Sequence, residues 1–131
     1  MKFRYLGDRL FLLCGGSYCL NRWLLKPRVD SPFLRNWFND LLLVPCAVPV
    51  TFWLFRILGL RAQDDPPSAS DIGWILVFWS ILFEWVGPKL LAHAVGDWRD
   101  VLMYFSGAVL AWAYWHRKDL ANRKVRLSGR E

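Results

Sequence analysis

The chain has 131 residues, of which 55% are hydrophobic and 17% aromatic, and its formal net charge is +6. This length gives room for one domain, and nine Trp and nine Phe are more than a soluble domain of this size needs. Because the charged residues gather between apolar runs and near the C-terminus, the composition argues against a soluble fold. No nucleic-acid-binding motif accompanies the basic excess, which therefore indicates basic membrane-flanking loops and no nucleic-acid partner.

Four apolar segments follow one another along the chain, and each is long enough, or nearly so, to cross a bilayer as a helix. They are residues 10–25, 38–60, 72–91 and 101–115. Basic residues precede the first apolar segment, as in a signal peptide, but no small-residue cleavage site follows it, so we expect an uncleaved helix. The sequence predicts an all-α, integral membrane four-helix bundle over residues 1–116, followed by a basic cytoplasmic tail over residues 117–131.

Basic residues are unequally divided between the two sides of this four-helix arrangement. Eleven of the 17 Lys and Arg residues fall on the side that carries both termini, and six fall on the other side. Because Lys and Arg accumulate on cytoplasmic loops, we expect a multi-pass protein of the bacterial inner membrane with both termini in the cytoplasm.

The sequence contains few recognisable signs of catalysis or cofactor binding. Cys14, Cys19 and Cys46 lie in apolar segments without CxxC spacing, and we expect them to be small core residues. There is no nucleophile elbow, phosphate-binding glycine loop or dinucleotide fingerprint. We therefore expect no cofactor and favour a non-enzymatic protein.

Polar residues at the ends of the four spans form the candidate site. Antiparallel packing brings them to one membrane face, the outer one in this orientation. The set is Asn21, Arg22, Arg35, Asn39, Asp40, Glu84, Asp97, Arg99, Asp100 and Tyr104. Spacings of three, four and seven residues place several of them on common helix faces, so they can form a small-ligand or ion site.

Glu84 is the most informative member, because it lies between Phe83 and Trp85 in an apolar run where a lipid-facing carboxylate is costly. We expect it to point into the bundle and either to pair with one of the three arginines or to be protonated. The competing interpretation is structural: buried ion pairs would fix helix packing, and Asp97 or Asp100 would cap the fourth helix.

A metal is a further interpretation of the same cluster. Asp40, Glu84, His93, Asp97 and Asp100 offer suitable ligands, but no ligand spacing supports a metal, and its identity stays unknown.

Three motifs carry a family resemblance: FLRNWFNDLLLVP at residues 33–45, ILFEWVGP at residues 81–88 and GDWRDVLMYFSGA at residues 96–108. They resemble short bacterial membrane proteins, some of which bear the name magnesium citrate secondary transporter. The order of a late Glu, a loop with Asp, Arg and Asp, and a helix with Tyr and Gly also resembles VanZ-like proteins. The positions this resemblance implies largely coincide with the polar cluster.

We therefore expect a membrane protein whose outer-face cluster binds a small polar, anionic or lipid-headgroup ligand, in contact with membrane lipids. Two alternatives stay open: a small secondary transporter that works as a homo-oligomer, and a VanZ-like protein that acts on or near lipid-linked envelope substrates.

Overall fold

The computed structural model describes residues 2–91 and 96–128, which are helical apart from short connections. Five helices follow in chain order: α1 (Arg9–Leu20), α2 (Pro32–Asn36), α3 (Phe38–Ile57), α4 (Ala69–Ser80) and α5 (Trp98–Ser128). The prediction of an all-α fold is confirmed. Helix α5 runs without interruption across the boundary expected at residue 116, so the basic segment through Ser128 is helical.

Two of the long helices are lengthened by π-helical turns, each followed by a proline. α1 continues through Asn21–Leu25 and Lys26–Arg28, and α4 continues through Ile81–Val86 and Gly87–Leu90. Pro27 and Pro88 lack the N–H that would complete the α-helical hydrogen bond four residues earlier. Because that bond is missing, the turn before each proline can widen, as π-helical turns do.

Helix α3 is the centre of the bundle and packs against α1, α4 and α5. Side chains from several helices and from the N-terminal segment meet around it in one buried core. The core comprises Phe3, Val44, Ala47, Val48, Phe52, Ile72, Ile75, Tyr104, Ala108, Ala111 and Trp115. Helix α5 contributes the last four of these, and their spacing of three or four residues puts them on one face.

The crossing of α3 and α5 depends on a proline and a glycine. Pro45 has no N–H to offer to the carbonyl of Leu41, and Gly107 of α5 lies against that carbonyl so closely that a Cβ at Gly107 would overlap it. A Cβ there would also lie 3.2 Å from Cδ of Pro45. Glycine is therefore needed at position 107 for the two backbones to approach.

The bundle has two ends, which we name by what they carry. The terminal end holds residues 2–8, the connection 58–68 and the α5 segment from Trp115 onward. The distal end holds the continuations of α1 and α4 and the starts of α3 and α5. Hydrogen bonds from Asn21 to Asn39 and from Trp115 to Asp8 join neighbouring helices at opposite ends.

A large apolar surface surrounds this bundle. Leu13, Trp74, Phe78 and Leu110 are each more than half exposed, and they lie on three different helices. Within residues 2–91 and 96–128, two of the four helices expected to cross a membrane, Phe38–Ile57 and Ala69–Leu90, are long and apolar enough to do so by length and composition. The four-span membrane bundle therefore stays a prediction. In Ala69–Leu90, only 11% of the most apolar window is buried inside the protein, so most of this helix presents apolar side chains at the surface.

Candidate functional site at the distal end

Glu84 lies in the π-helical turn of α4 and holds the start of α5. Its Oε1 accepts a hydrogen bond from the hydroxyl of Tyr104 at 2.9 Å, and its Oε2 accepts one from the backbone N–H of Asp97 at 2.6 Å. Tyr104 is 4% exposed, so this contact lies inside the bundle. Glu84 thus points inward, as its apolar sequence context predicted.

The backbone carbonyl of Glu84 is also in close contact with the segment that leads into α5. Pro88 withholds the N–H that would bond the Glu84 carbonyl in an α-helix, and Gly96 lies against that carbonyl. A Cβ at Gly96 would overlap the carbonyl oxygen, so the connection into α5 passes next to the π-helical turn only because residue 96 is glycine.

Asp40 and Asp100 lie at the same end of the bundle as Glu84. Asp40, in the first turn of α3, lies within electrostatic range of Asp100 and Glu84. Asp100, in the first turn of α5, is in turn influenced by the charges of Glu84 and Asp97. The cation whose charge acts on Asp40 is Lys26.

The expected arginine partners do not reach these carboxylates. Among the described residues, Arg35 pairs with the exposed Asp30 at 3.1 Å, and the guanidinium of Arg99 lies 5.9 Å from the centre of the Trp98 ring. Arg22 is solvent-exposed. Of the two states expected for Glu84, pairing with an arginine is thus not observed among the described residues, and protonation of Glu84 stays a prediction.

Asp97 has a structural role that sequence reasoning had left open. Its Oδ1 accepts the N–H of Arg99 at 3.0 Å, which is the geometry of a cap at the start of α5. Asp97 therefore contributes its backbone N–H to Glu84 and its carboxylate to the helix end.

Asn21 and Asn39 join α1 to α3 beside the carboxylates. The Asn21 side chain is fully buried, and its Nδ2 donates to Oδ1 of Asn39 and to the carbonyl of Leu34, both at 2.9 Å. The Oδ1 of Asn21 is buried and accepts no hydrogen bond from the described residues. A buried acceptor without a donor costs free energy unless water or a ligand supplies one.

The described part of the chain contains no group of three His, Cys, Asp or Glu residues close enough to hold a metal ion. His93, which the sequence had offered as a ligand, lies outside the described residues. Asp40, Glu84 and Asp100 therefore do not come close enough together to hold a metal ion.

A second polar cluster, at the terminal end, escaped the sequence interpretation. Asp8 is 1% exposed; its Oδ1 accepts hydrogen bonds from the N–H of Leu10 at 3.0 Å and from Nε1 of Trp115 at 3.1 Å. Its Oδ2 lies 3.1 Å from Nζ of Lys118. An Asp directly before an apolar helix is an N-cap signal, and Trp115 and Lys118 continue the buried stripe of α5, so the pattern was present in the sequence.

Asp64 is a second carboxylate with cationic partners at the terminal end. Its carboxylate accepts the Tyr5 hydroxyl at 2.5 Å and lies 3.2 Å from Lys2 and 3.5 Å from Arg56. The hydrogen bond from Tyr5, followed by the one from Lys2 and the charge of Arg56, lowers the pKa of Asp64. Burial, together with the Asp64 carboxylate, raises the pKa of Tyr5.

Comparison of the chain with protein-family models, with curated proteins and with solved structures gave no significant match.

Proposed function

We propose that this protein is a multi-pass membrane protein that binds a cationic group at its distal end, between Asp40, Glu84 and Asp100. The observation that carries the proposal is the position of three carboxylates at one end of the bundle: Asp40 and Asp100 lie in the first turns of α3 and α5, and Glu84 is bonded to Tyr104 and Asp97 of α5. None of the three forms a salt bridge among the described residues, although the charge of Lys26 acts on Asp40. Carboxylates held together in partly dehydrated surroundings repel one another, and a bound cation removes that cost.

The membrane location is supported by the surface of the bundle. Exposed apolar side chains surround it, and α4 with its continuation presents an apolar surface over nearly its whole length. In water such a surface would drive aggregation, whereas lipid covers it without cost. The basic excess on the terminal side supports a cytoplasmic location for both termini.

The division of roles within the cluster follows from its contacts. Glu84 is already held by Tyr104 and by the N–H of Asp97, so it anchors the site and adds charge to it. Asp40 and Asp100 have no ion-pair partner among the described residues and are the groups we expect to contact the ligand directly. Tyr104 and Asn21 keep the helices in register beneath them.

A cationic group can come from a free ammonium ligand or from the headgroup of a lipid, and binding measurements separate the two. In detergent, ethylammonium should raise the unfolding temperature above the value found with sodium at equal ionic strength. At 100 times its dissociation constant, a ligand adds about 2.7 kcal/mol to the free energy of unfolding. If the source is a lipid, short-chain phosphatidylethanolamine should stabilise the wild type more than Asp40→Asn, and phosphatidylglycerol should stabilise both proteins equally or not at all.

Matched variants locate the effect. Asp40→Asn and Asp100→Asn should remove most of the stabilisation, whereas Asp30→Asn should keep it, because Asp30 lies at the same end but is exposed and paired with Arg35. Equal stabilisation of all three variants would show that the cation acts elsewhere.

Topology is tested independently of the ligand. Reporter fusions after residue 131 and within residues 62–68 should both report the cytoplasm, and the protein should remain in the membrane pellet after alkaline carbonate extraction. Release by carbonate, or a periplasmic signal from either fusion, would contradict the membrane proposal.

A further inference from the structure

A cleft of about 750 Å³ opens at the terminal end, between α5 and the connection that precedes α4. One face of α5 forms its first wall, with Trp112, Trp115, His116, Asp119 and Arg123 at helical spacing. Residues 65–69, which include two adjacent prolines, form the second wall. The volume falls within the range of small-molecule sites.

Both walls are fixed before any ligand binds. Trp115 is fully buried, and its indole N–H is bonded to Asp8. The opposite wall is held by the backbone bond from Phe3 to the Asp64 carbonyl at 2.7 Å and by the capping box of Ser68 and Asp71. A preformed cleft loses little conformational entropy when it binds a ligand.

Groups of both charges line the cleft. Asp119 and Arg123 face each other at 2.8 Å, and Asp65 contributes a carboxylate that has no salt bridge among the described residues. The imidazole of His116 lies parallel to the Trp112 ring, with 5.1 Å between ring centres and 13° between ring planes. The cleft thus combines a guanidinium, an imidazole, two carboxylates and aromatic rings.

We infer that this cleft binds a small zwitterion that carries both an ammonium and a phosphate group. Arg123 and His116 suit the phosphate, since a guanidinium offers paired donors to its oxygens. Asp65 and the exposed part of Trp112 suit the ammonium, through charge and through the aromatic face. A simple anion would leave Asp65 unpaired, and a simple cation would leave Arg123 without a new partner.

The choice of phosphate as the anionic group rests on the proposed membrane location, because ammonium–phosphate zwitterions are abundant in lipid headgroups at the interface. The same chemistry is available from the soluble headgroup compound. Separate arms of the experiment therefore use glycerophosphoethanolamine and short-chain phosphatidylethanolamine.

Calorimetric titration of the detergent-solubilised full chain carrying Asp40→Asn and Asp100→Asn tests the inference, because these two changes remove the distal site, which would also bind ethylammonium. Glycerophosphoethanolamine, or short-chain phosphatidylethanolamine if the site takes the intact lipid, should bind at least about tenfold more tightly than glycerol 3-phosphate or ethylammonium, since it satisfies two charges at once. Arg123→Gln should weaken binding about tenfold, and Lys124→Gln, on the neighbouring exposed residue, should leave it unchanged. Circular dichroism of each variant confirms that the helices are retained.

Three results would overturn the inference: no binding of either zwitterion, equal affinity for glycerol 3-phosphate, or unchanged affinity in Arg123→Gln. The distal site is tested separately, because Asp40→Asn combined with Asp100→Asn should leave zwitterion binding at the cleft intact. Release of the protein from membranes by carbonate would exclude a membrane lipid as the ligand. Binding of glycerophosphoethanolamine would then still test the cleft.

Discussion

The less exposed carboxylates at the two ends of the bundle differ in the charge of their partners. At the terminal end, Asp8 is paired with Lys118, and Asp64 is paired with Lys2 and Arg56. At the distal end, Glu84 is bonded to the neutral donors Tyr104 and Asp97 N–H. Carboxylates that are paired with cations hold neighbouring segments together. Carboxylates without salt bridges repel one another, and a bound cation can reduce that repulsion.

Prolines show a similar contrast between packing and site building. Pro45 frees the carbonyl of Leu41 in the middle of the bundle, where Gly107 covers it and brings α3 and α5 together. Pro88 frees the carbonyl of Glu84 at the distal end, where Gly96 covers it beside a π-helical turn. The same proline and glycine pairing thus serves helix packing in one place and positions a carboxylate in the other.

The largest effect is expected from Asp8→Ala at the terminal end. It removes a helix cap, leaves the buried N–H of Trp115 without an acceptor and leaves Lys118 unpaired. We expect a loss of about 3 kcal/mol in the free energy of unfolding, measured in mixed detergent micelles. Asp30→Ala, at an exposed ion pair, should cost less than about 1 kcal/mol. Similar losses of unfolding free energy in the two variants would show that the buried contacts of Asp8 stabilise the fold no more than the exposed pair of Asp30 and Arg35.

Gly107→Ala should have the next largest effect. The added methyl group would overlap the Leu41 carbonyl, and forcing α3 and α5 apart should cost about 2 kcal/mol. Gly73→Ala is the matched control, since a Cβ at this helical glycine meets nothing within 4 Å. It should be neutral or stabilise α4 by up to about 1 kcal/mol through helix propensity. Equal unfolding temperatures for the two variants would contradict the close crossing.

Glu84 distinguishes a hydrogen-bonding anchor from an ion pair. In Glu84→Gln the amide oxygen can accept from Asp97 N–H and the amide nitrogen can donate to Tyr104, so we expect a loss near 1 kcal/mol. Glu84→Ala leaves both partners unsatisfied and should cost about 2–3 kcal/mol. Identical unfolding free energies for the two variants would instead indicate that the charge of Glu84 has a cationic partner.

The smallest effect concerns pH and Asp64. Folding lowers the pKa of Asp64 below its value in the unfolded chain, which is about 3.9. Ionised Asp64 therefore stabilises the fold at pH values above the unfolded pKa, and this stabilisation is lost as the pH falls through the lower pKa of the folded protein. Unfolding temperatures of the wild type should therefore decline more steeply below pH 4 than those of Asp64→Asn. Parallel curves would show that Asp64 does not contribute to acid sensitivity.

The sequence predicted the helices well because apolar runs, prolines and an N-cap mark them directly. Glu84 was predicted to face inward from its apolar neighbours, and the structure agrees. The arginine partners were not predictable, since the direction of a long side chain at a helix end depends on packing that no sequence pattern records. Asp8 was missed for a related reason: its partners Trp115 and Lys118 lie more than 100 residues away in the chain.

The most direct test of the contrast between the two ends is the unfolding temperature of charge-neutralised variants in ligand-free detergent. If the distal carboxylates form an unneutralised ligand site, Asp40→Asn and Asp100→Asn should raise the unfolding temperature by relieving repulsion, while Asp8→Asn should lower it by breaking a closed pair. A lower unfolding temperature for all three variants would mean that the distal carboxylates are structural fastenings, and would contradict the proposed cation site.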